Sequence, residues 1–247
     1  MDRDLVDRFL LAYNRLDDLV RERSGFDRSR SFMSCVTELK KRGDRIAGRC
    51  DNELRRYAEV RNLIVHSASP EPVATPSPAA VTRLEAILQA MASPPTLVSI
   101  GAAPGAPSAV TTCRLDDTIG RISSNMCTRL LSQLPVVENG RIHGVLTTGT
   151  IARWLGSEFT ANAHDSEIVV GNVRVGDVLP HAEDPDNFVL LSPNAEVARC
   201  LDAFERRSAQ GRTLDAVIVT QDGTETKPPQ KIFTSFDIPR LMEALTI

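Results

Sequence analysis

The clearest structural signal in the sequence is LPVVENGRIHGVLT, at residues 134–147. Both of its parts are short runs rich in apolar residues, which is typical of two paired strands. Asn139-Gly140 between them is a preferred dipeptide for a two-residue hairpin turn. Thr147 then opens a helix, because a hydroxyl residue before an apolar-periodic run favours an N-cap. The stretch therefore predicts a strand, a tight turn, a second strand and a helix.

The residues on both sides of this hairpin extend the pattern. We expect Asp116-Asp117 to cap a helix that passes through Ile122 and Met126. Two short extended segments and two loops are predicted from apolar runs and from Gly, Pro and Ala content. The extended segments are Leu97 to Ile100 and Val110 to Arg114, and the loops are Gly101 to Ser108 and Leu155 to Val170.

The same order of elements recurs downstream. We predict strands at 188–191, 216–219 and 231–233, a helix opened by 192–194, a last helix opened by 234–237, and a short extended segment at 173–175. Two copies of one supersecondary plan indicate an internal repeat. Each copy alone buries little apolar surface, so we expect the two to pack through their sheets as one unit.

The repeated stretch resembles the CBS motif. Residues 134–147 are similar to its strand–turn–strand core, and the second copy is similar through Asp215 to Val219 and Lys231 to Asp237. The resemblance implies a tandem CBS pair, also called a Bateman module, over residues 96–247. Its first motif would span 96–160 and its second 170–247. Such pairs bind adenosine-containing ligands such as AMP, ADP or ATP in clefts between the motifs.

The family's ligand signature is a glycine, then Ser or Thr three residues later, then Asp three further on. The second copy keeps Thr234 and Asp237, while Lys231 stands at the glycine position, where it would crowd the cleft or offer charge to a phosphate. A hydroxyl and free N–H groups at a helix start suit a phosphate, and a carboxylate accepts both ribose hydroxyls. The resemblance places Ala216 and Val217 beside the base.

The first copy departs from this signature. It keeps Gly144 and Thr147, but Thr150 stands where the family has Asp. A threonine offers a ribose one hydrogen bond where a carboxylate offers two. Both turns also fit a helix-capping pattern, so the alternative at each is a capped helix without a ligand.

The first 95 residues predict four amphipathic helices, because apolar residues recur there at three- and four-residue steps. The first helix would end near Ser24-Gly25. The others would run from Ser31 to Lys41, from Asp51 to about His66, and from Ser77-Pro78 to Ser93. We therefore expect a four-helix bundle at 1–95, followed by the α/β CBS pair.

Arg61-Asn62-Leu63-Ile64-Val65-His66 resembles the arginine–histidine motif of the HEPN superfamily. The resemblance implies metal-independent ribonuclease chemistry by Arg61, Asn62 and His66. Histidine transfers protons near neutral pH, and arginine clamps a phosphate. One chain supplies one such histidine, so two-sided proton transfer would need a homodimer. The alternative is that Arg61 pairs with Glu53 or Glu59 and that His66 only caps a helix.

Composition limits the remaining classes. The chain of 247 residues is 42% hydrophobic and 25% charged with a net charge of −3, which is typical of a globular protein. Without an apolar run of about 18 residues we expect no membrane span. Five scattered cysteines without a C-x-x-C pair indicate reduced thiols in a cytoplasmic protein, with no metal site.

Together the two resemblances imply an adenine-nucleotide-sensing regulator. Its CBS pair would control a HEPN-like ribonuclease that acts on RNA, as in toxin or phage-defence systems. The alternative, from another class, is a non-catalytic CBS protein that binds a ligand or dimerises and uses its helices for interaction.

Overall fold

The computed structural model describes residues 3–66, 74–101, 109–161 and 170–246. The chain divides into two compact units. The first, called the helical unit here, comprises residues 1–95 together with 245–247. The second, called the α/β unit, comprises residues 96–244.

The described part of the helical unit contains five helices. They are α1 (Arg3–Ser24), α2 (Phe32–Lys41), α3 (Arg45–Arg49), α4 (Asp51–Val65) and α5 (Pro78–Ala92). The four predicted helices are confirmed, with bounds close to those expected. The count of four was wrong, because α3 has only five residues and shows no apolar period. The Asp44 carboxylate caps α3 by accepting the Ala47 N–H at 2.9 Å.

The apolar faces of these helices form one core. Helix α1 contributes Phe9, Leu16 and Val20, which are fully buried. Leu54 of α4 and Leu84 of α5 lie in the same buried cluster. This burial of one stripe per helix follows from the three- and four-residue spacing of apolar positions in the sequence.

The first half of the α/β unit contains the predicted hairpin. Its elements are α6 (Ile119–Thr128), β1 (Gln133–Glu138), β2 (Arg141–Thr147) and α7 (Thr148–Ala161). Strands β1 and β2 are antiparallel, and Asn139 and Gly140 between them have φ of 50° and 77°. These positive values confirm the predicted turn.

Three details of this half differ from the predictions. The N-cap residue of helix α6 is Thr118 and not Asp116-Asp117, and its side chain makes no capping hydrogen bond. The Asp117 carboxylate accepts the Arg114 N–H at 2.9 Å instead. Helix α7 continues through Ala161, so the loop predicted from Leu155 was wrong in its first part. The rest of that loop, 162–169, lies outside the described residues, as do 102–108 of the predicted Gly/Pro/Ala loop.

The second half has a three-stranded sheet. Its elements are α8 (Val175–Val178), β3 (Phe188–Leu191), α9 (Val197–Ala209), β4 (Ala216–Thr220), β5 (Pro229–Phe233) and α10 (Ile238–Ala244). The strand order is β3-β4-β5, with β3 parallel and β5 antiparallel to β4. The three predicted strands are confirmed. Helix α9 begins later than predicted, because residues 192–195 form a turn closed by the Ala195 N–H on Ser192 O at 3.0 Å.

The two halves pack through their sheets, as expected from the repeat. Ile142 and Val145 of β2 and Ala216 and Ile218 of β4 form one buried cluster. Each of the four is at most 3% exposed. The apolar faces of both sheets are therefore covered by each other.

Residues 96–101, called the first crossing segment here, precede the first half but lie against the second half. Thr96 forms a bridge with Glu196, and the Leu97 and Val98 N–H groups donate to Ala195 O and Pro193 O at 2.9 and 2.8 Å. The strand predicted at Leu97 to Ile100 was wrong, because these carbonyls belong to a turn and offer no continuous ladder.

Residues 173–181, called the second crossing segment here, lie in turn against the first half. Arg174 bridges Thr118, and the Val175 N–H donates to Asp117 O at 2.9 Å. The segment predicted to be extended at 173–175 is extended only to Arg174, since α8 begins at Val175. Similarly, of the predicted strand at Val110 to Arg114, only Cys113 is bridged, to Val136 of β1.

Candidate functional site

The turn between β5 and α10, called the second turn here, holds Thr234 and Asp237. The Asp237 Oδ2 accepts the Thr234 N–H at 2.8 Å and the Thr234 hydroxyl at 3.3 Å. Its Oδ1 accepts Arg240 Nη2 at 2.7 Å. The predicted capping box is therefore present at this turn. A carboxylate has about four acceptor positions, so these three donors leave room for a further hydroxyl.

Lys231 lies beside this turn and binds the first crossing segment. Its ammonium donates to Leu97 O and Val98 O at 3.0 Å and to Ile100 O at 2.7 Å. Lysine has three N–H donors, so all of them are engaged. Burial, followed by the positive charge of Arg240, lowers the pKa of Lys231. As it stands, the lysine offers no free donor to a phosphate.

Gly144, which occupies the position of Lys231 in the first half, shows why Lys231 meets the first crossing segment. Gly144 stands three residues before Thr147, and a Cβ built on it would lie 3.4 Å from Leu179 side-chain carbons of the second crossing segment. Position 144 thus faces one crossing segment, and position 231 contacts the other. In this fold the glycine position is next to a crossing segment, so a long side chain there meets backbone carbonyls.

Arg240 is a second cation on the first crossing segment. Its Nη1 donates to Gly101 O at 2.6 Å, while its Nη2 holds Asp237. The guanidinium also lies 5.8 Å from the centre of the Phe233 ring. Arg240 was not among the predicted site residues, although a basic residue three positions after the signature aspartate was a visible signal for an ion pair.

Ala216 and Val217 start strand β4 and are both 0% exposed. Ala216 packs between the two sheets. Val217 is paired with Val189 and Phe233 in the sheet. Neither side chain has surface free for a base in this structure.

The turn between β2 and α7, called the first turn here, holds Thr147 and Thr150. The Thr147 hydroxyl accepts the Thr150 N–H at 3.0 Å, and the two hydroxyls are 3.0 Å apart. Thr150 is only 1% exposed. The threonine that replaces the expected aspartate is therefore turned inward and hydrogen-bonded within the turn.

A charged pair lies next to the first turn. Arg153 Nη1 and Thr147 Oγ1 are both 3.5 Å from the place where a Cβ on Gly149 would lie. The Arg153 guanidinium forms an ion pair with Glu183. The two side chains are 45% and 60% exposed, so water reaches both.

Asp215 from the second half approaches the same region. Its Oδ2 accepts Asn187 Nδ2 at 2.7 Å, and the same amide donates to Val145 O of β2 at 3.1 Å. Gln133 Nε2 donates to Asp215 O at 2.8 Å, and Gln133 is the ladder partner of Thr147. Asp215 therefore lies at the end of β2 where the first turn begins.

Burial raises the pKa of Asp215 above its usual value. The negative charges of Glu183 and Asp184 act in the same direction, while the Asn187 hydrogen bond and Arg153 oppose them. Desolvation disfavours the charged form of a carboxyl group. Asp215 was not among the site residues predicted from the sequence. A polar residue directly before the apolar run of β4 was the available signal.

The end of α4 carries Arg61, Asn62 and His66. Arg61 is half-buried, while Asn62 and His66 are exposed. Arg61 Nη1 donates to Asn62 Oδ1 at 3.3 Å, and the His66 N–H caps the helix on Asn62 O at 3.0 Å. At 3.6 residues per turn, Asn62 and His66 share a face, while Arg61 and His66 are about 140° apart.

The alternative pairing of Arg61 with Glu53 is not what the structure shows. Glu53 Oε2 accepts Arg83 Nε at 2.8 Å, which lowers the pKa of Glu53. The Arg61 charge instead acts on Tyr13 of α1. Burial raises the pKa of Tyr13 to about 12, with Asp17 adding to the shift and Arg61 opposing it.

Within the described ranges, no three His, Cys, Asp or Glu side chains come together as a metal site. No described helix is both long and apolar enough to cross a membrane. All five cysteines are free thiols, and only Cys127 is exposed.

Residues 108–157 match the family model of the CBS domain. The chain contains a CBS domain. Its matched part includes the hairpin, the first turn and Arg153. The match ends before the second turn and Asp215, so the second CBS motif stays a prediction.

Solved structures of CBS proteins are similar to the chain at low identity. The CBS domain of a membrane protein from Sphaerobacter thermophilus is 24% identical, with 59% of this chain and 86% of that one covered and a TM-score of 0.41. ATU1752 from Agrobacterium tumefaciens is 14% identical, covering 60% and 98%, with a TM-score of 0.42. CBSX2, solved in complex with AMP, is 12% identical, covering 60% and 96%, with a TM-score of 0.41. No curated protein matches the chain.

Proposed function

We propose that the α/β unit is a tandem CBS pair, with motifs at 96–160 and 170–247, that binds an adenine nucleotide. The observation that carries this proposal is the packing of two similar halves through Ile142, Val145, Ala216 and Ile218. Each half also has a strand-to-helix turn with a threonine whose hydroxyl accepts a backbone N–H of the turn. The CBS match at 108–157 supports the same assignment for the first half.

At the second turn, Thr234 and Asp237 are the proposed contacts. Asp237 accepts a ribose hydroxyl at the acceptor position that Thr234 and Arg240 leave free. A phosphate at this turn would compete with backbone carbonyls for Lys231 and Arg240. Hydrogen bonds between a cation and an anionic oxygen are stronger than those to a neutral carbonyl, so this exchange favours the nucleotide over the nucleoside.

Calorimetric titration of the whole protein with AMP, ADP, ATP and adenosine tests this proposal. We expect saturable binding of at least one nucleotide. Asp237→Asn keeps the size of the side chain and one capping oxygen but removes the charge, so it should weaken the second-turn site. Asp222→Asn, in the turn that follows β4, is the matched control and should bind as the wild type does.

We also propose that the end of α4 is a metal-independent ribonuclease site of the HEPN type, completed in a homodimer. The exposed face shared by Asn62 and His66 supports it, because a proton-transfer histidine must reach the RNA. Arg61 would bind the phosphate. With about 140° between Arg61 and His66 in one chain, the arginine that serves each histidine is best supplied by a second copy.

RNA cleavage in the presence of a chelator tests the ribonuclease. The wild type should cleave single-stranded RNA without metal, and His66→Ala should abolish cleavage. His143→Ala, in the α/β unit, is the control. Full cleavage by His66→Ala would contradict the assignment.

In this proposal the adenine nucleotide regulates the ribonuclease, as in toxin or phage-defence systems. Regulation requires that the ligand bind two states of the protein with different affinity. The competing function is a non-catalytic protein that binds the nucleotide or dimerises. Cleavage measured with and without adenine nucleotide separates the two, because only the regulator changes its rate.

A further inference from the structure

We infer that the first turn binds the ribose of its ligand through Asp215 of the second half and the ligand's phosphate through Arg153. This inference rests on the proposed function and names the residues that would serve a second nucleotide site. The side chains concerned, called the first-turn cluster here, are Thr147, Arg153, Glu183 and Asp215.

The residue at the signature position does not serve this purpose. Thr150 is 1% exposed, and its hydroxyl lies 3.0 Å from that of Thr147. Its N–H is also taken by the Thr147 hydroxyl. A ribose contact at position 150 would break the cap of α7. If the first turn binds a nucleoside, the acceptor must come from elsewhere.

Asp215 is the carboxylate that meets this need. It reaches the end of β2 through Asn187, whose amide bridges the Asp215 carboxylate and Val145 O. Gln133 pairs with Thr147 in the β1–β2 ladder, and its side chain donates to Asp215 O. The Asp215 backbone is therefore held beside the end of β2, where the first turn begins. Among the described residues, Asn187 is the only hydrogen-bond partner of this carboxylate. Most of its acceptor capacity is therefore available.

The Asn187 amide also fixes the orientation of this carboxylate. Asn187 is 2% exposed and uses the same nitrogen for Asp215 and for Val145 O. An acceptor held in place by a buried amide loses little conformational entropy when a ligand binds. Burial keeps the group partly out of water, which strengthens a hydrogen bond from a ribose hydroxyl.

Arg153 is the cation of the cluster. Its Nη1 and the Thr147 hydroxyl both lie 3.5 Å from the place where a Cβ on Gly149 would lie, near the start of α7. Glu183 now holds the guanidinium as an exposed ion pair, which contributes little stability. When a phosphate displaces the Glu183 carboxylate, Arg153 exchanges one anionic partner for another and stays paired. Glu183 thus competes with the phosphate for Arg153.

The experiment uses full-length Asp237→Asn, so that the first turn is measured without the second. Calorimetry compares three ligands: AMP, adenosine, and 2′,3′-dideoxyadenosine 5′-monophosphate, which lacks both ribose hydroxyls. Asp215→Asn in this background should lower the affinity for AMP about tenfold or more, as expected for the loss of a hydrogen bond to a charged group. It should leave the affinity for the dideoxy compound unchanged.

Two further variants test whether a phosphate displaces Glu183 from Arg153. Arg153→Gln should lower the affinity for AMP about tenfold and leave the affinity for adenosine unchanged, because only AMP carries the phosphate. Glu183→Gln should strengthen AMP and again leave adenosine unchanged. Arg141→Gln is the matched control, since Arg141 and Glu225 form a similarly exposed pair at 3.0 Å. This variant should leave the affinities for AMP and for adenosine unchanged.

The outcomes separate this inference from the proposed function. Wild type that binds no adenine compound overturns both. If the wild type binds AMP but Asp237→Asn does not, the first turn is empty, and this inference fails while the proposed function stands. Equal loss of AMP and of the dideoxy compound in Asp215→Asn, or unchanged AMP binding in Glu183→Gln, also overturns the inference.

Discussion

Lys231 shows how far the role of one residue depends on partners that are remote in sequence. The motif gives its position relative to Thr234, but the three carbonyls that bind it come from Leu97, Val98 and Ile100. These partners lie more than 130 residues earlier in the chain. Asp237 behaves differently, because its capping partner Thr234 is local and visible in the sequence.

Lys231→Met should destabilise the α/β unit, because it leaves three carbonyls without their donor. We expect a loss of about 1–2 kcal/mol in the free energy of unfolding, reduced from the buried value by the partial exposure of the site. Trp154 is the single tryptophan and is buried in this unit, so its fluorescence in a urea titration reports the change. Lys227→Met is the control, and equal stability of both variants would contradict the role of Lys231.

At the scale of elements, the sequence predicted what local periodicity encodes. The β1–β2 hairpin and the four longer helices of the helical unit follow from apolar spacing, caps and the Asn139-Gly140 dipeptide. Helix α3 was missed because it is shorter than two turns. The crossing segments were misread because single bridges to a distant turn leave no period in the sequence.

Gly140→Ala should destabilise the hairpin, since Gly140 has a φ of 77°. An L side chain at a left-handed position costs about 1–2 kcal/mol. Gly120→Ala is the matched control, because Gly120 lies inside helix α6 with nothing within 4 Å of its added Cβ. That variant should be neutral or stabilise by up to about 1 kcal/mol. Trp154 fluorescence during urea unfolding measures both, and the opposite order of stabilities would contradict the turn assignment.

At the scale of the whole molecule, the repeat predicted the pairing of the two halves of the α/β unit. The sequence could not predict which polar groups meet at the ends of that interface. Asp215 and Asn187 are remote from Thr147 and Arg153 in the chain and come together only because the sheets pack face to face. The capped turns of the candidate site could therefore be predicted from the sequence, but the charged side chains that gather beside them could not.

Ile218→Ala tests the sheet-to-sheet packing. Ile218 is 0% exposed at the centre of the interface, so the truncation should cost about 2–5 kcal/mol. It should also weaken nucleotide binding, because each proposed site takes its shape from this packing. Val98→Ala is the control, since Val98 is 58% exposed and should change stability by less than about 0.5 kcal/mol. Wild-type stability of Ile218→Ala would contradict the account of the interface.

The central claim is that the α/β unit binds an adenine nucleotide at the turn formed by Thr234 and Asp237. Calorimetric titration of the wild type and of Asp237→Asn with AMP, ADP, ATP and adenosine tests it most directly. The account predicts saturable heat for a nucleotide with the wild type and the loss of a binding event in the variant. No heat for any of these compounds, or identical titrations for both proteins, would contradict it.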